Sequence, residues 1–197
     1  MENASEIDIS RFRRELEEYR QRWPGEGEVV AHFQALSTDP QDPFSRSRLA
    51  GHFTASAWLV DRSGTRVLLT HHRKLERWLQ LGGHADGDRD LAAVALLEAQ
   101  EESGLPDLRV ERTLFDLDRH WIPARGEVPG HWHFDARYVV RAGADEQYVV
   151  SAESLDLAWR DIRQVADGGD GATVGSYDAA LQRMARKWLQ RRRTADQ

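Results

Sequence analysis

The chain has 197 residues, with 33 acidic against 27 basic side chains and a formal charge of -6. At this length folding buries roughly 70% of the surface of the extended chain, so one substantial domain needs no metal or disulfide to hold its core. The lack of cysteine excludes a disulfide framework, a thiolate zinc site, an iron–sulfur cluster and a cysteine nucleophile, and the acidic balance argues against a nucleic-acid partner.

Ser5 to Arg22 places Ile7, Phe12, Leu16 and Tyr19 among alternating Arg and Glu, which predicts an amphipathic helix ended by Trp23-Pro24-Gly25. A short helix is expected over Glu28 to Ala35, followed by a turn-rich connection from Asp39 to Pro43. Residues 1–48 therefore read as a helical extension packed on or between subunits (a lid, a dimer arm or a docked segment), and 49–197 as the main domain. No apolar run approaches the ~20 residues that span a bilayer, and MENASEIDISRF is too acidic for a signal peptide. The expectation is a cytoplasmic protein with no membrane partner, and a homodimer through the extension.

His52 to Val60 reads as a strand, Asp61 to Gly64 as a turn and Arg66 to His71 as the returning strand of a hairpin. Gly82-Gly83 then lead to a helix from Asp90 to Ser103, closed by Gly104. Strands are expected at Arg109–Asp116, His133–Val140 and Trp159–Val165, with another ending near Val150, and a last helix over Val174–Arg191. Strand pairs interleaved with long helices predict an α/β fold, a mixed sheet with helices around it.

The helix from Asp90 to Ser103 carries the most informative pattern. At 100° per residue, Glu98, Glu101 and Glu102 share the side on which Leu91, Val94 and Ala95 lie one and two turns earlier. Three carboxylates so close repel one another and oppose the helix dipole at its carboxyl end. A cation removes that penalty, and no basic residue follows Arg89 within the helix. Magnesium suits such a set, because it prefers oxygen ligands and bridges a few carboxylates to substrate phosphates. The alternative is a solvated acidic turn neutralised by lysines or arginines from neighbouring elements.

The segment LGGHADGDRDLAAVALLEAQEESGL resembles the Nudix box, Gx5Ex7REUxEExGU with U aliphatic. Gly83, Glu98, Glu101, Glu102, Gly104 and Leu105 stand at the family's separations. The resemblance implies a Nudix-type α/β/α sandwich over roughly residues 50 to 190. It also implies a hydrolase, dependent on magnesium with manganese as an alternative ion, that cleaves the diphosphate linkage of a nucleoside diphosphate joined to another moiety. Glu98, Glu101 and Glu102 would hold the metal, Gly82 and Gly83 would form the turn before the helix, and Glu102 or Glu153 would activate water. Two positions depart from the pattern: Arg89 stands at the early glutamate, and Leu97 replaces the arginine before the first catalytic glutamate. The alternative they raise is a weak or inactive nucleotide- or pyrophosphate-binding module of the same fold.

Other candidates surround this helix in the sequence. Arg73 and Lys74, within HHRKLER, would match phosphate charge that the metal leaves uncovered, and Trp78 is assigned a structural role. Asp88 or Asp90 is expected to cap the helix. His120, His131, His133 and Asp135 form a second cluster, with His131, His133 and Asp135 on one side of a strand. Imidazoles and a carboxylate suit zinc or iron, but packing and turn roles, with substrate contacts from His120 or His133, are the expectation, since the carboxylate helix has the clearer mechanism. His84, beside the glycines, is expected to meet a phosphate. The basic carboxyl-terminal stretch RKWLQRRR suits the end of a helix dipole.

Overall fold

The structure is a computed structural model, and it describes residues 4–73, 75–150, 154–169 and 177–195. The elements in chain order are α1 (Ala4–Arg22), a 3-10 turn (Pro24–Glu26), α2 (Gly27–Ser37), β1 (Gly51–Val60), β2 (Arg66–His72), β3 (Arg77–Leu79) and β4 (Leu81–His84). There follow α3 (Leu91–Ser103), β5 (Arg109–Ile122), β6 (His131–Arg141), β7 (Ser154–Asp161), α4 (Ile162–Ala166) and α5 (Ala179–Ala195). The strands form a seven-stranded sheet ordered β3-β2-β1-β6-β5, with β4 paired to β1 and β7 paired to β2. No helix among the described residues is long and apolar enough to cross a membrane.

The chain forms two compact units, the first made of Met1–Ser56, Gly82–Ala95 and Arg112–Tyr138. Within it, the apolar stripe of α1 (Phe12, Leu16, Tyr19) and that of α2 (Val30, Phe33, Leu36) are buried. Strand periodicity explains what they cover. Phe53 on β1 and Phe134 on β6 present aromatic rings on one face of the sheet. Phe53 lies 5.2 Å from Phe12 edge-on, 5.0 Å from Phe44 and 5.8 Å from Phe33, which in turn lies 5.5 Å from Phe134. Each such ring contributes about 1.5–3 kcal/mol through burial, so this aromatic cluster is the main anchor of the two helices. Tyr138 donates to Glu15 at 3.1 Å and Arg22 to the Leu114 carbonyl at 2.9 Å, tying α1 to β6 and β5.

The second unit comprises Ala57–Leu81, Leu96–Glu111 and Val139–Gln197. The predicted hairpin is present, with Val60 opposite Val67 and Asp61 accepting from the backbone N–H groups of Thr65 and Arg66. β7 pairs antiparallel with β2, Leu68 opposite Trp159. Leu59, Leu68, Leu81, Leu105, Leu108, Val140 and Leu157 form its core with several alanines. On α5, Leu181, Met184, Ala185 and Trp188 are buried, and the Trp188 indole donates to the Gly64 carbonyl at 2.8 Å.

Three expectations need correction. β5 runs six residues beyond Asp116, to Ile122, where Asp118 pairs with Arg137 of β6 and His120 with Asp118. The strand expected at Trp159–Val165 ends at Asp161, whose carboxylate accepts from the N–H groups of Arg163 and Gln164 and starts α4 instead. Residues 142–150 form no strand, so none ends near Val150. β3 and β4 are too short for any periodicity to announce them.

Candidate functional site

α3 begins where the sequence predicts. Asp90 is the capping residue, accepting from the Ala93 N–H at 3.0 Å, and it also pairs with Arg112 at 2.5 Å. Its carboxyl stays below the usual aspartate range: burial opposes ionisation, and the Arg112 and Ala93 hydrogen bonds outweigh it. The helix closes at Gly104, whose φ of +67° suits glycine and whose N–H reaches the Gln100 carbonyl at 2.8 Å. Leu91, Val94, Ala95 and Ala99 are buried along it. Glu98 and Glu102, one turn apart, are half-buried, whereas Glu101 is exposed. The carboxylates thus continue the apolar stripe at two of the three predicted positions, and Glu101 turns outward. The last turn of α3 contains no basic residue.

Leu97 is 51% exposed. Arg89 lies 3.5 Å from the Asp42 carboxylate, with its guanidinium 5.1 Å from the centre of the Phe44 ring.

The first unit holds a polar face of the sheet opposite the phenylalanines. On β1 it presents His52, Thr54 and Ser56; on β6, His131, His133, Asp135 and Arg137; on β5, Asp116, Asp118 and His120. Alternation along each strand puts these residues on one side. At one end Arg137, 3% exposed, binds Asp116 at 3.0 Å, Asp118 at 3.2 Å and Asp135 at 2.7 Å. Burial opposes the guanidinium charge, but the three carboxylates outweigh it and hold its pKa above the ordinary arginine value. Thr54 and Ser56 complete the shell of Asp135, donating at 3.1 and 2.8 Å.

At the other end five imidazoles gather. The His133 ring lies 5.0 Å from those of His52, His84 and His131 and 5.5 Å from His120. The His131 and His133 Nε2 atoms are 3.1 Å apart, and His120 Nδ1 lies 3.1 Å from Asp118. Burial, then repulsion from the neighbouring rings, lowers His133 to about 2. Burial and the nearby Arg46 lower His84 to about 4, and burial also lowers His52. At neutral pH His52, His84 and His133 are uncharged and offer lone pairs.

The structure therefore brings His84, His120, His131 and His133 together, but not Asp135, which is committed to Arg137, Thr54 and Ser56. His52 is the member sequence reasoning passed over. Its signal was its place at the head of a strand whose partner carries HWH, a relation visible only once β1 and β6 are paired. Gly83 lies half-buried on β4. Gly82 beside it is required by close approach, because a Cβ there would stand 2.4 Å from Ser56 Oγ and 2.6 Å from the Ala55 carbonyl. Arg73 is exposed in the turn after β2. Trp78 is half-buried, with Arg160 4.2 Å above its ring and His71 5.1 Å away. Lys74 and Glu153 lie outside the described residues.

No protein-family model matches the sequence, and no curated protein matches it. Solved structures do. An Ap4A hydrolase of C. elegans in a binary complex superposes with a TM-score of 0.55 at 16% identity, over 72% of this chain and 98% of that one. A Nudix-family hydrolase from Clostridium perfringens gives 0.52 at 24% identity, over 71% and 96%. A UDP-X diphosphatase gives 0.52 at 15% identity, over 89% and 83%. At these identities the likeness speaks to the fold, and in that respect it agrees with the expected α/β architecture of a mixed sheet and flanking helices: the chain has the Nudix fold.

Proposed function

We propose that the chain is a hydrolase of nucleotide or other pyrophosphate-bearing small molecules, with the acidic end of α3 as its metal-binding and catalytic edge. The observation that carries this reading is the placement of Glu98 and Glu102 half-buried and Glu101 exposed on a helix end without a basic residue, in a chain of Nudix fold. The donor set fits a hard divalent ion: it consists of carboxylate oxygens and sits at the negative end of the helix dipole. Magnesium, or manganese in its place, would be held by Glu98, Glu101 and Glu102 and would supply charge neutralisation at phosphate oxygens and a more acidic water.

The remaining work falls to the chain's own residues. Glu102 or Glu153 accepts the proton of the attacking water, with Glu101 in support, and Arg73 and Lys74 counter the phosphate charge. Gly83, His84, His120 and His133 contact the substrate. Two of the similar structures are named for Ap4A and for UDP-X, which supports a nucleoside diphosphate joined to a further moiety as the substrate class.

One observation favours a second reading, a binding module of low activity: Leu97 faces solvent and Arg89 is engaged by Asp42 and Phe44. Release of phosphate or nucleoside monophosphate, measured over nucleotide sugars, dinucleotide polyphosphates and nucleoside triphosphates with and without magnesium, decides between them. Magnesium-dependent turnover supports the hydrolase. Calorimetric binding without turnover supports the module.

A further inference from the structure

We propose that His52, His131 and His133 form a binding site for a divalent transition-metal ion of borderline softness, zinc above all. The three rings each offer a ligand nitrogen, and these atoms all lie within 4.8 Å of one another. Two of the residues are almost fully buried, His52 at 2% exposure and His131 at 7%.

The hydrogen bonds set the tautomers. His52 Nδ1 faces the Arg48 carbonyl at 3.2 Å and His131 Nδ1 faces the Pro129 carbonyl at 2.9 Å. A carbonyl oxygen only accepts, so each Nδ1 carries the proton and each Nε2 keeps its lone pair. His131 Nε2 meets His133 Nε2, while His52 Nε2 is buried with no hydrogen-bond partner. An imidazole fixed through Nδ1 on a backbone carbonyl, with its other nitrogen turned to a shared point, has the outer support that metal-bound histidines characteristically have. A tetrahedral zinc with bonds of about 2.0–2.1 Å spaces its ligands about 3.3 Å apart. The His131–His133 pair is at that spacing already, and the His52 ligand atom lies within 4.8 Å of both.

Donor chemistry points the same way. Three nitrogens without carboxylate or carbonyl donors suit zinc, cobalt or nickel and not magnesium. The rings of His84 and His120 lie 5.0 and 5.5 Å from that of His133, with His120 held by Asp118. This inference uses none of the carboxylates of α3, and it assigns His133 to the metal in place of the substrate contact proposed above.

The test is titration of the full chain, stripped with chelator, with Co2+ followed by visible absorption and then by Zn2+ displacement. The expected result is stoichiometric cobalt binding with tetrahedral d–d bands, displaced by zinc and retained in a Glu98→Gln/Glu101→Gln/Glu102→Gln variant. Substituting His52, His131 or His133 by Asn should weaken binding at least ~10-fold, the smallest loss seen even for an outer-sphere partner. Thermal melts identify any His variant that fails to fold, and the wild-type and Glu-variant spectra then decide. No cobalt bands in the wild-type chain, or bands lost with the glutamates and kept in folded His variants, would overturn the proposal.

Discussion

The acidic end of α3 and the imidazole end of the polar sheet face both gather groups that attract cations, by opposite routes. Glu98, Glu101 and Glu102 lie within five residues of one helix, reach solvent and offer hard oxygens. The histidines come from β1, β4, β5 and β6, are buried or half-buried and offer ring nitrogens. The first arrangement depends on helical spacing alone, and the second only on which strands pair. The contrast also sets the energetics. Replacing the exposed Glu101 leaves the fold intact, whereas the Arg137 network beside the imidazoles is costly to break, because removing one partner leaves the others charged and dry.

The largest expected effect breaks the first region without touching the second. Glu102→Gln should lower turnover of the best substrate by ~10²–10⁴-fold, the range associated with a lost general base, with an unchanged melting temperature. Steady-state rates and thermal melts on the same preparation check both halves. Arg137→Met should do the reverse, destabilising the chain by about 3–5 kcal/mol, the usual cost of stripping a buried ion pair of one partner. Denaturant unfolding reads it. Asp90→Ala should cost about 1 kcal/mol, since it removes the cap of α3.

Acid should separate the regions more gradually. His84 and His133 lie below the ordinary 6.5 in the folded chain, at about 4 and about 2. The unfolded chain therefore binds more protons in this window, so the stability tied to these rings is complete above about pH 6.5 and declines as pH falls towards the depressed values. Denaturant midpoints of the chelator-treated chain between about pH 7 and about pH 4.5 should fall steadily. A flat profile would mean the rings are not held neutral by burial.

What the sequence conveyed follows from range. α1, α2, the β1–β2 hairpin and α3 were legible because each is decided by neighbours within one or two turns. The exposure of Glu101 was not, since helical angle alone does not say how far the apolar face extends. β5 was read short because Asp118 and His120 look like a solvated strand end until Arg137 is placed beside them. β7 was read late because Ile162 and Val165 are apolar enough for a strand, while Asp161 quietly starts a helix. His52 was missed for the deepest reason: its partners are on another strand.

The central claim, that the carboxylates of α3 make the chain a metal-assisted hydrolase, is most directly tested by titrating magnesium against turnover of a nucleoside diphosphate derivative in wild type and in Glu98→Gln/Glu102→Gln. The account predicts a saturable rise in rate for the wild-type chain and a flat, low response for the variant. Turnover that ignores magnesium, or that rises equally in both, would contradict it.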